Sequence, residues 1–301
     1  YWSLRNWLMT FAVDWGLDVE LIDMTSPAAV QAALRPGKTR VVWIETPANP
    51  LWTVTDIAAT AKLAHDAGAL MAVDSTVATP VLSQPLTLGA DLVMHAATKY
   101  LNGHSDLIAG ALVTRGDNEH WQRVRKVRAQ VGGTLGSFEA WLLLRGMRTV
   151  HLRVRAACAS ALKIAQHFDG HPKVVQVLYP GLAACHGHAV AAAQMQGGFG
   201  GMLSIRVRGV DSAGAGRAPS DDLAAGEGAA IATAANTQLW KRATSLGGTE
   251  SLIEHRASVE GAGTPAPADL LRLSVGIEHA SDLIADLEQA LTKAQRAPQP
   301  R

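Results

Sequence analysis

What most constrains this chain is the spacing of its short apolar runs in the first half. Arg40–Glu45 (RVVWIE), Leu70–Asp74, Asp91–His95 and Ile108–Val113 are each short and apolar throughout. Between the first two lies Thr55–Ala67, where Ile57, Ala58, Ala61, Leu63 and Ala64 recur at helical intervals. Strands with no polar face, separated by helices, indicate a mostly parallel sheet buried on both sides. The expected fold class is α/β, an open sheet with right-handed crossovers. In such sheets the chemistry sits beyond the carboxyl ends of the strands.

The second half reads differently. A long helical pattern runs from about Ser137 to His167, either spanning two domains or kinked. A strand at Val174–Tyr179, a helix near His188–Met195 and a strand at Met202–Val207 follow. Asp211–Ala229, rich in Gly, Ala, Ser and Asp, reads as a mobile surface loop. Ser281–Lys293 reads as a closing helix. The expected domains are therefore residues 1–150, a large α/β unit, and residues 151–301, a smaller α+β unit. The chain contains no internal repeat.

Composition narrows the class. An apolar fraction of 48% against 18% charged residues excludes a disordered chain. Twenty-seven basic residues against 26 acidic ones leave a net charge of +1, which gives nucleic acid or an anionic membrane no global attraction. No apolar run approaches the roughly 18 residues of a membrane span. Two cysteines, Cys158 and Cys185, make no disulfide framework and suit a reducing compartment, the cytoplasm. The opening Tyr1-Trp2-Ser3-Leu4 is neither an initiator methionine nor a basic signal-peptide start, so a segment upstream is expected.

Two side chains stand where chemistry is expected. Asp74 ends one apolar strand, in V-D-S-T. The next apolar strand runs into His95-Ala96-Ala97-Thr98-Lys99-Tyr100, followed by the polar turn Asn102-Gly103-His104-Ser105-Asp106. An acid at one strand end and an amine at its neighbour are what pyridoxal phosphate requires: a Schiff-base lysine and a carboxylate on the pyridinium nitrogen. Taken singly, each has a plainer reading. Asp74 caps the following turn, and Lys99 is a solvated surface amine.

At these residues the chain resembles the cystathionine gamma-synthase group of fold-type-I pyridoxal-phosphate enzymes, the Cys/Met transsulfuration family. The matching segments are E-T-P-A-N-P-L at 45–51, V-D-S-T-V-A-T-P at 73–80 and G-A-D-L-V-M-H-A-A-T-K-Y-L-N-G-H-S-D at 89–106. L-L-L-R-G-M-R-T at 142–149, S-L-G-G-T-E-S-L at 245–252 and L-R-L-S-V-G-I-E at 271–278 match as well. The resemblance covers nearly the whole chain, with 211–229 the poorest match. The implied fold is an aspartate-aminotransferase-like large domain with a smaller C-terminal domain.

The resemblance also implies roles. Lys99 would carry the cofactor and shuttle protons at Cα, Cβ and Cγ. Asp74 would hold the ring N–H through a charge-assisted bond. Tyr1 would stack on the ring and assist proton transfer. Asn49 would approach the cofactor's phenolic oxygen and the substrate carboxylate, and Arg272 would grip that carboxylate with its planar fork. Ser245 would line the substrate pocket, and Thr98 would donate to the cofactor phosphate. The implied partners are a small amino-acid substrate and further copies of the chain, as a dimer or tetramer.

Several positions depart from the family pattern. Ala96 stands where a phosphate-binding serine is usual, and Trp2 where a glycine follows the tyrosine. The N-terminal arm, with its Ser-Gly phosphate loop and Tyr-x-Arg pair, is not in the chain. Thr244 stands where some members place an acid beside the S-L-G-G serine, and Gly261–Asp269 is short. Both leave the second substrate open.

Other constellations carry less. Cys185-His186-Gly187-His188 lacks a second ligand cluster, so no metal is expected. Gly197–Gly201 precedes a strand and reads as a turn. Arg123, Arg125, Lys126 and Arg128 read as a solvated helix face. Gly103–Asp106 lacks a nucleophile elbow, and His104 and Asp106 are expected to hold the lysine loop in shape. The leading function is thus γ-replacement or γ-elimination on sulfur amino acids or O-acyl homoserine. The alternatives are β-cleavage of cystathionine and a catalytically impaired fragment.

Overall fold

The computed structural model of the chain describes residues 1–210, 219–220, 223–261 and 263–295. The chain enters through α1 (Trp2–Trp7), a π-helical stretch (Leu8–Ala12) and α2 (Pro27–Ala33). The first sheet follows, as β1 (Val41–Glu45), α3 (Ile57–Asp66), β2 (Leu70–Asp74), α4 (Thr79–Leu82), β3 (Leu92–Ala96) and β4 (Gly110–Thr114). Helix α3 starts where the Asp56 carboxylate accepts the Ala59 amide at 2.9 Å, satisfying one of its free N–H groups. Its Ile57, Ala61 and Ala64 are buried with Ile44, Met71 and Val73 of the sheet.

The four strands lie in chain order. β1, β2 and β3 run parallel, and β4 is antiparallel to β3. Register sets Glu45 beside Asp74, and Asp74 beside Met94, so three strands release the chain at one sheet edge. Burial on both faces holds for β2. The outer strands differ: Val41 and Trp43 of β1 and Leu112 and Val113 of β4 are exposed. β1 and β4 are the edge strands, each with a neighbour on one side only.

Next come α5 (Glu119–Val131), α6 (Ser137–Met147) and α7 (Val150–Phe168). The basic run on α5 is a solvated face, with Arg123, Arg125, Lys126 and Arg128 all exposed. The long helical stretch resolves into two helices that break at Arg148 and Thr149. Gly146 of α6 packs on the lysine-bearing loop so closely that a Cβ there would lie 2.3 Å from the Asn102 carbonyl oxygen.

The remaining elements are β5 (Val174–Leu178), α8 (His188–Gln194), β6 (Met202–Val207), β7 (Gly209–Val210), β8 (Pro219–Ser220), α9 (Leu223–Asn236), β9 (Lys241–Arg242), β10 (Leu252–His255), α10 (Arg256–Glu260), β11 (Leu270–Ser274) and α11 (Ala280–Ala294). Five of these strands form a second sheet, ordered β5-β6-β11-β10-β9 and antiparallel except for β10 with β9. Leu203, Ile205, Ile253, Leu271 and Leu273 pack with Ile164, Phe168, Leu283 and Leu287 of the covering helices. The intervening residues of a strand point to the opposite face. Register there lines up Glu254, Arg272 and Ser204 across three strands.

One sequence expectation is corrected. Part of the stretch read as a mobile loop is helix α9 from Leu223, while 211–218 and 221–222 lie outside the described residues. Ala is the strongest helix former, and Ala224, Ala225, Ala229 and Ala230 drive the helix that a Gly/Ala-rich reading treated as loop. Gly226 serves packing: a Cβ would fall 2.7 Å from Asp269 Cβ and 2.9 Å from the Val207 carbonyl oxygen. Among the described residues no helix is long and apolar enough to cross a membrane.

A buried relay joins the two sheets. The Trp52 indole N–H donates to Ser204 Oγ at 2.8 Å, and Ser204 Oγ donates to the Pro50 carbonyl at 2.8 Å. Trp52 and Ser204 are both buried. Ser204→Ala strands a buried donor and a buried acceptor, so denaturant unfolding should show a loss of about 1–3 kcal/mol. An unchanged unfolding midpoint would show that the relay does not join the sheets.

Candidate active site

The carboxyl edge of the first sheet places two acids side by side. Asp74 is buried and among the described residues forms no salt bridge. Its Oδ1 accepts the Thr76 amide at 3.0 Å and the Thr76 hydroxyl at 2.6 Å. Thr76 Oγ1 in turn accepts the Ala96 amide at 2.8 Å, tying the end of β2 to the end of β3. Burial pushes the Asp74 carboxyl up to about 6, and the neighbouring Glu45 adds to the rise; the two Thr76 bonds act against it. Ser75 Oγ beside it is buried without a partner among the described residues.

β3 leads into a tight turn that carries Lys99. The Lys99 amide donates to the Ala96 carbonyl, Asn102 N–H to Ala97, and Gly103 N–H to Lys99. The turn's free carbonyls are taken by Arg153 of α7, whose Nη1 donates to Tyr100 at 2.8 Å and Nη2 to Leu101 at 3.3 Å. Arg153 Nη2 also donates to Gly146 at 2.7 Å, locking the turn to α6. Asn102 and Asp106 bond at 2.8 Å, and His104 Nδ1 meets the Asn102 carbonyl at 2.7 Å, so these groups hold the loop.

Lys99 Nζ donates to Ser245 Oγ at 3.1 Å. Burial draws its ammonium below the ordinary lysine range, and the Arg272 charge draws it further. Arg272 is buried on β11. Its Nη2 donates to the carbonyls of Thr244 at 2.7 Å and Ser245 at 3.0 Å, and pairs with Glu254. Its Nη1 donates to Asn49 Oδ1 at 3.3 Å. Burial lowers its pKa to about 10, which leaves it cationic at neutral pH.

The expected residues thus fall into one connected group. Lys99, Ser245, Arg272 and Asn49 are linked by hydrogen bonds, and Glu45 accepts the Asn49 amide at 3.1 Å beside Asp74. Two sit apart from it. Thr98 Oγ1 donates to the Ala109 carbonyl at 3.2 Å and accepts the Ala109 amide at 2.9 Å. The Tyr1 side chain is exposed, while its amino group meets Glu45.

Four residues of the site went unassigned in the sequence. Glu45 and Thr76 lie inside the quoted motifs but carried no role. Arg153 and Glu254 are charged residues on buried positions of a helix and a strand; a charge on an apolar face is itself a signal. Cys185 and His188, by contrast, sit at the start of α8, with His188 Nδ1 on the Pro180 carbonyl at 2.7 Å. Among the described residues no group of three or more His, Cys, Asp or Glu could hold a metal.

The donor set fits pyridoxal phosphate. A buried carboxyl that forms no salt bridge among the described residues suits a protonated ring nitrogen, and a half-buried amine drawn below its ordinary range suits an aldehyde.

Comparison with known proteins agrees. A family model described as Cys/Met metabolism PLP-dependent enzyme matches residues 1–292. The cystathionine gamma-synthase of Mycobacterium tuberculosis is 44% identical over 282 residues, covering 92% of this chain and 68% of that protein. The cystathionine gamma-lyase of Bacillus subtilis is 40% identical over 284 residues, covering 92% and 70%. The crystal structure of metB from Corynebacterium glutamicum superposes with a TM-score of 0.88 at 41% identity, covering 97% of this chain and 72% of that one.

The raised Asp74 pKa carries a stability cost. Folding favours the protonated acid, so its full stability is present below 3.8 and is lost as pH rises through about 6. The loss amounts to about 3 kcal/mol at pH 8. Asp74→Asn keeps an acceptor for Thr76 and carries no charge. In the cofactor-free protein it should raise Tm at pH 8, with the gain vanishing near pH 4; a lower Tm at pH 8 would contradict the burial of an ionised acid.

Proposed function

The chain belongs to the Cys/Met metabolism PLP-dependent enzymes, and on that premise we propose that it acts by γ-replacement, joining a thiol to the γ-carbon of an O-acyl homoserine. Lyase-type γ-elimination from cystathionine is the companion reaction of the same site. The observation that carries the reading is the Lys99–Ser245–Arg272 group, a half-buried amine hydrogen-bonded to the serine whose carbonyl accepts from a buried guanidinium. The gamma-synthase relatives favour replacement over elimination.

Pyridoxal phosphate, when bound, supplies a carbonyl that condenses with amines and a ring that accepts the electron pair left at Cα. Lys99 would hold it, with Asp74 on the ring nitrogen, Thr98 toward the phosphate after giving up Ala109, Tyr1 over the ring and Asn49 toward the phenolic oxygen. Arg272 fixes the substrate α-carboxylate and so aims Cα at Lys99. A lysine drawn below its ordinary range by burial would accept the Cα proton and return one on the γ-leaving group's side of the molecule. Ser245 Oγ holds the amine in place between these transfers.

The chain's two halves divide this work: residues 1–150 supply the cofactor groups and residues 151–301 the substrate groups. Exposed Ile108, Phe138, Trp141 and Leu152 support a homo-oligomer. The two free cysteines support a cytoplasmic setting.

Purified protein should gain a visible absorbance band when pyridoxal phosphate is added, and Lys99→Ala should abolish it. Incubated with cysteine and an O-acyl homoserine, it should yield cystathionine. With cystathionine alone, 2-oxobutyrate and cysteine mark γ-chemistry, whereas pyruvate and homocysteine would overturn the proposal.

A further inference from the structure

The buried charges behind Arg272 continue past Glu254. Arg272 Nη2 and Arg256 Nη1 meet the same Glu254 oxygen, Oε2, at 2.5 and 3.0 Å. Arg256 Nη2 then meets Glu260 Oε1 at 2.5 Å, one turn along α10. The side chains of Arg272, Glu254, Arg256 and Glu260 are only 3%, 3%, 6% and 4% exposed. The second Glu254 oxygen, Oε1, is buried with no partner among the described residues. One carboxylate therefore serves two guanidiniums through a single oxygen.

That sharing matters when a ligand arrives. A lone Arg272–Glu254 pair would be closed to an incoming anion. Drawing Arg272 away would strand a buried carboxylate, and an uncompensated buried charge is strongly destabilising. With Arg256 on the same oxygen, Glu254 keeps a counter-ion whichever way Arg272 leans. Glu260 balances Arg256, so the row stays neutral before the ligand binds. The same Nη2 also donates to the Thr244 and Ser245 carbonyls, so Arg272 stays in place and it is Glu254 that yields its contact.

We propose that Arg256 is a positioning residue: a standing second counter-ion that lets Glu254 release Arg272 to the α-carboxylate of the substrate. This rests on the role given above to Arg272. It adds that carboxylate recognition depends on a residue standing one ion pair behind the guanidinium that makes it.

The test uses the pyridoxal-phosphate-loaded protein and two unreactive probes, norleucine and norleucinamide, titrated by the change in visible absorbance. They share an amine and a side chain and differ in the carboxylate. Arg256→Met should raise the norleucine Kd about tenfold and leave the norleucinamide Kd within about twofold, because only the carboxylate displaces Glu254 from Arg272. Arg256→Lys keeps a charge but cannot span both Glu254 and Glu260, and should give an intermediate, carboxylate-selective loss of about threefold; it carries the test if Arg256→Met does not fold. Equal weakening of both probes, or no weakening of either, in either variant overturns the proposal. Unsubstituted protein that does not prefer norleucine over its amide would instead remove the role of Arg272, and this proposal with it.

Discussion

Arg272 is a cation taken out of water, and the site is organised around satisfying it. A buried guanidinium is tolerable only when its donors and its charge are met. Its Nη donors reach two backbone carbonyls, the Asn49 amide oxygen and the Glu254 carboxylate, while Nε is buried with no partner among the described residues. Asn49 lies in the 46–53 loop and Glu254 on β10, so the same interactions that settle the charge also bring that loop against the second sheet. Ser204, one strand over in register, receives Trp52 and Pro50 from that loop. One buried row of residues therefore joins the 46–53 loop to the second sheet.

Burial also moves the two reactive groups in opposite directions. The same removal of water that raises Asp74 lowers Lys99, because each loses the solvation of its charged form. Both shifts cost stability in the protein as it stands, and in the proposed roles of Asp74 and Lys99 a bound ring cation and a condensed amine would offset them.

Much of this was legible in the sequence, and for identifiable reasons. Asp74 and Lys99 stand out because apolar runs end on them, and a strand end in an open α/β sheet points at the site. The family motifs then locate Arg272, Ser245 and Asn49. What the one-dimensional pattern lacks is register. Nothing local says that Glu254 lies opposite Arg272, or that Glu45 lies beside Asp74; both pairings arise only when strands distant in sequence align. Arg153 was hidden differently, inside a long helical pattern in which no charged position was singled out. Helix α9 was missed because alanine and glycine together resemble a loop, although the alanines form the helix and Gly226 lets it sit close to β6.

The central claim is that the amine at position 99 is the one that takes the cofactor. Borohydride reduction of the pyridoxal-phosphate-loaded protein, followed by peptide mass mapping, tests it most directly. The account predicts a single stable phosphopyridoxyl adduct on the peptide that contains Lys99. Adducts spread over surface lysines such as Lys62 and Lys241, or found at one of them in place of Lys99, would contradict it.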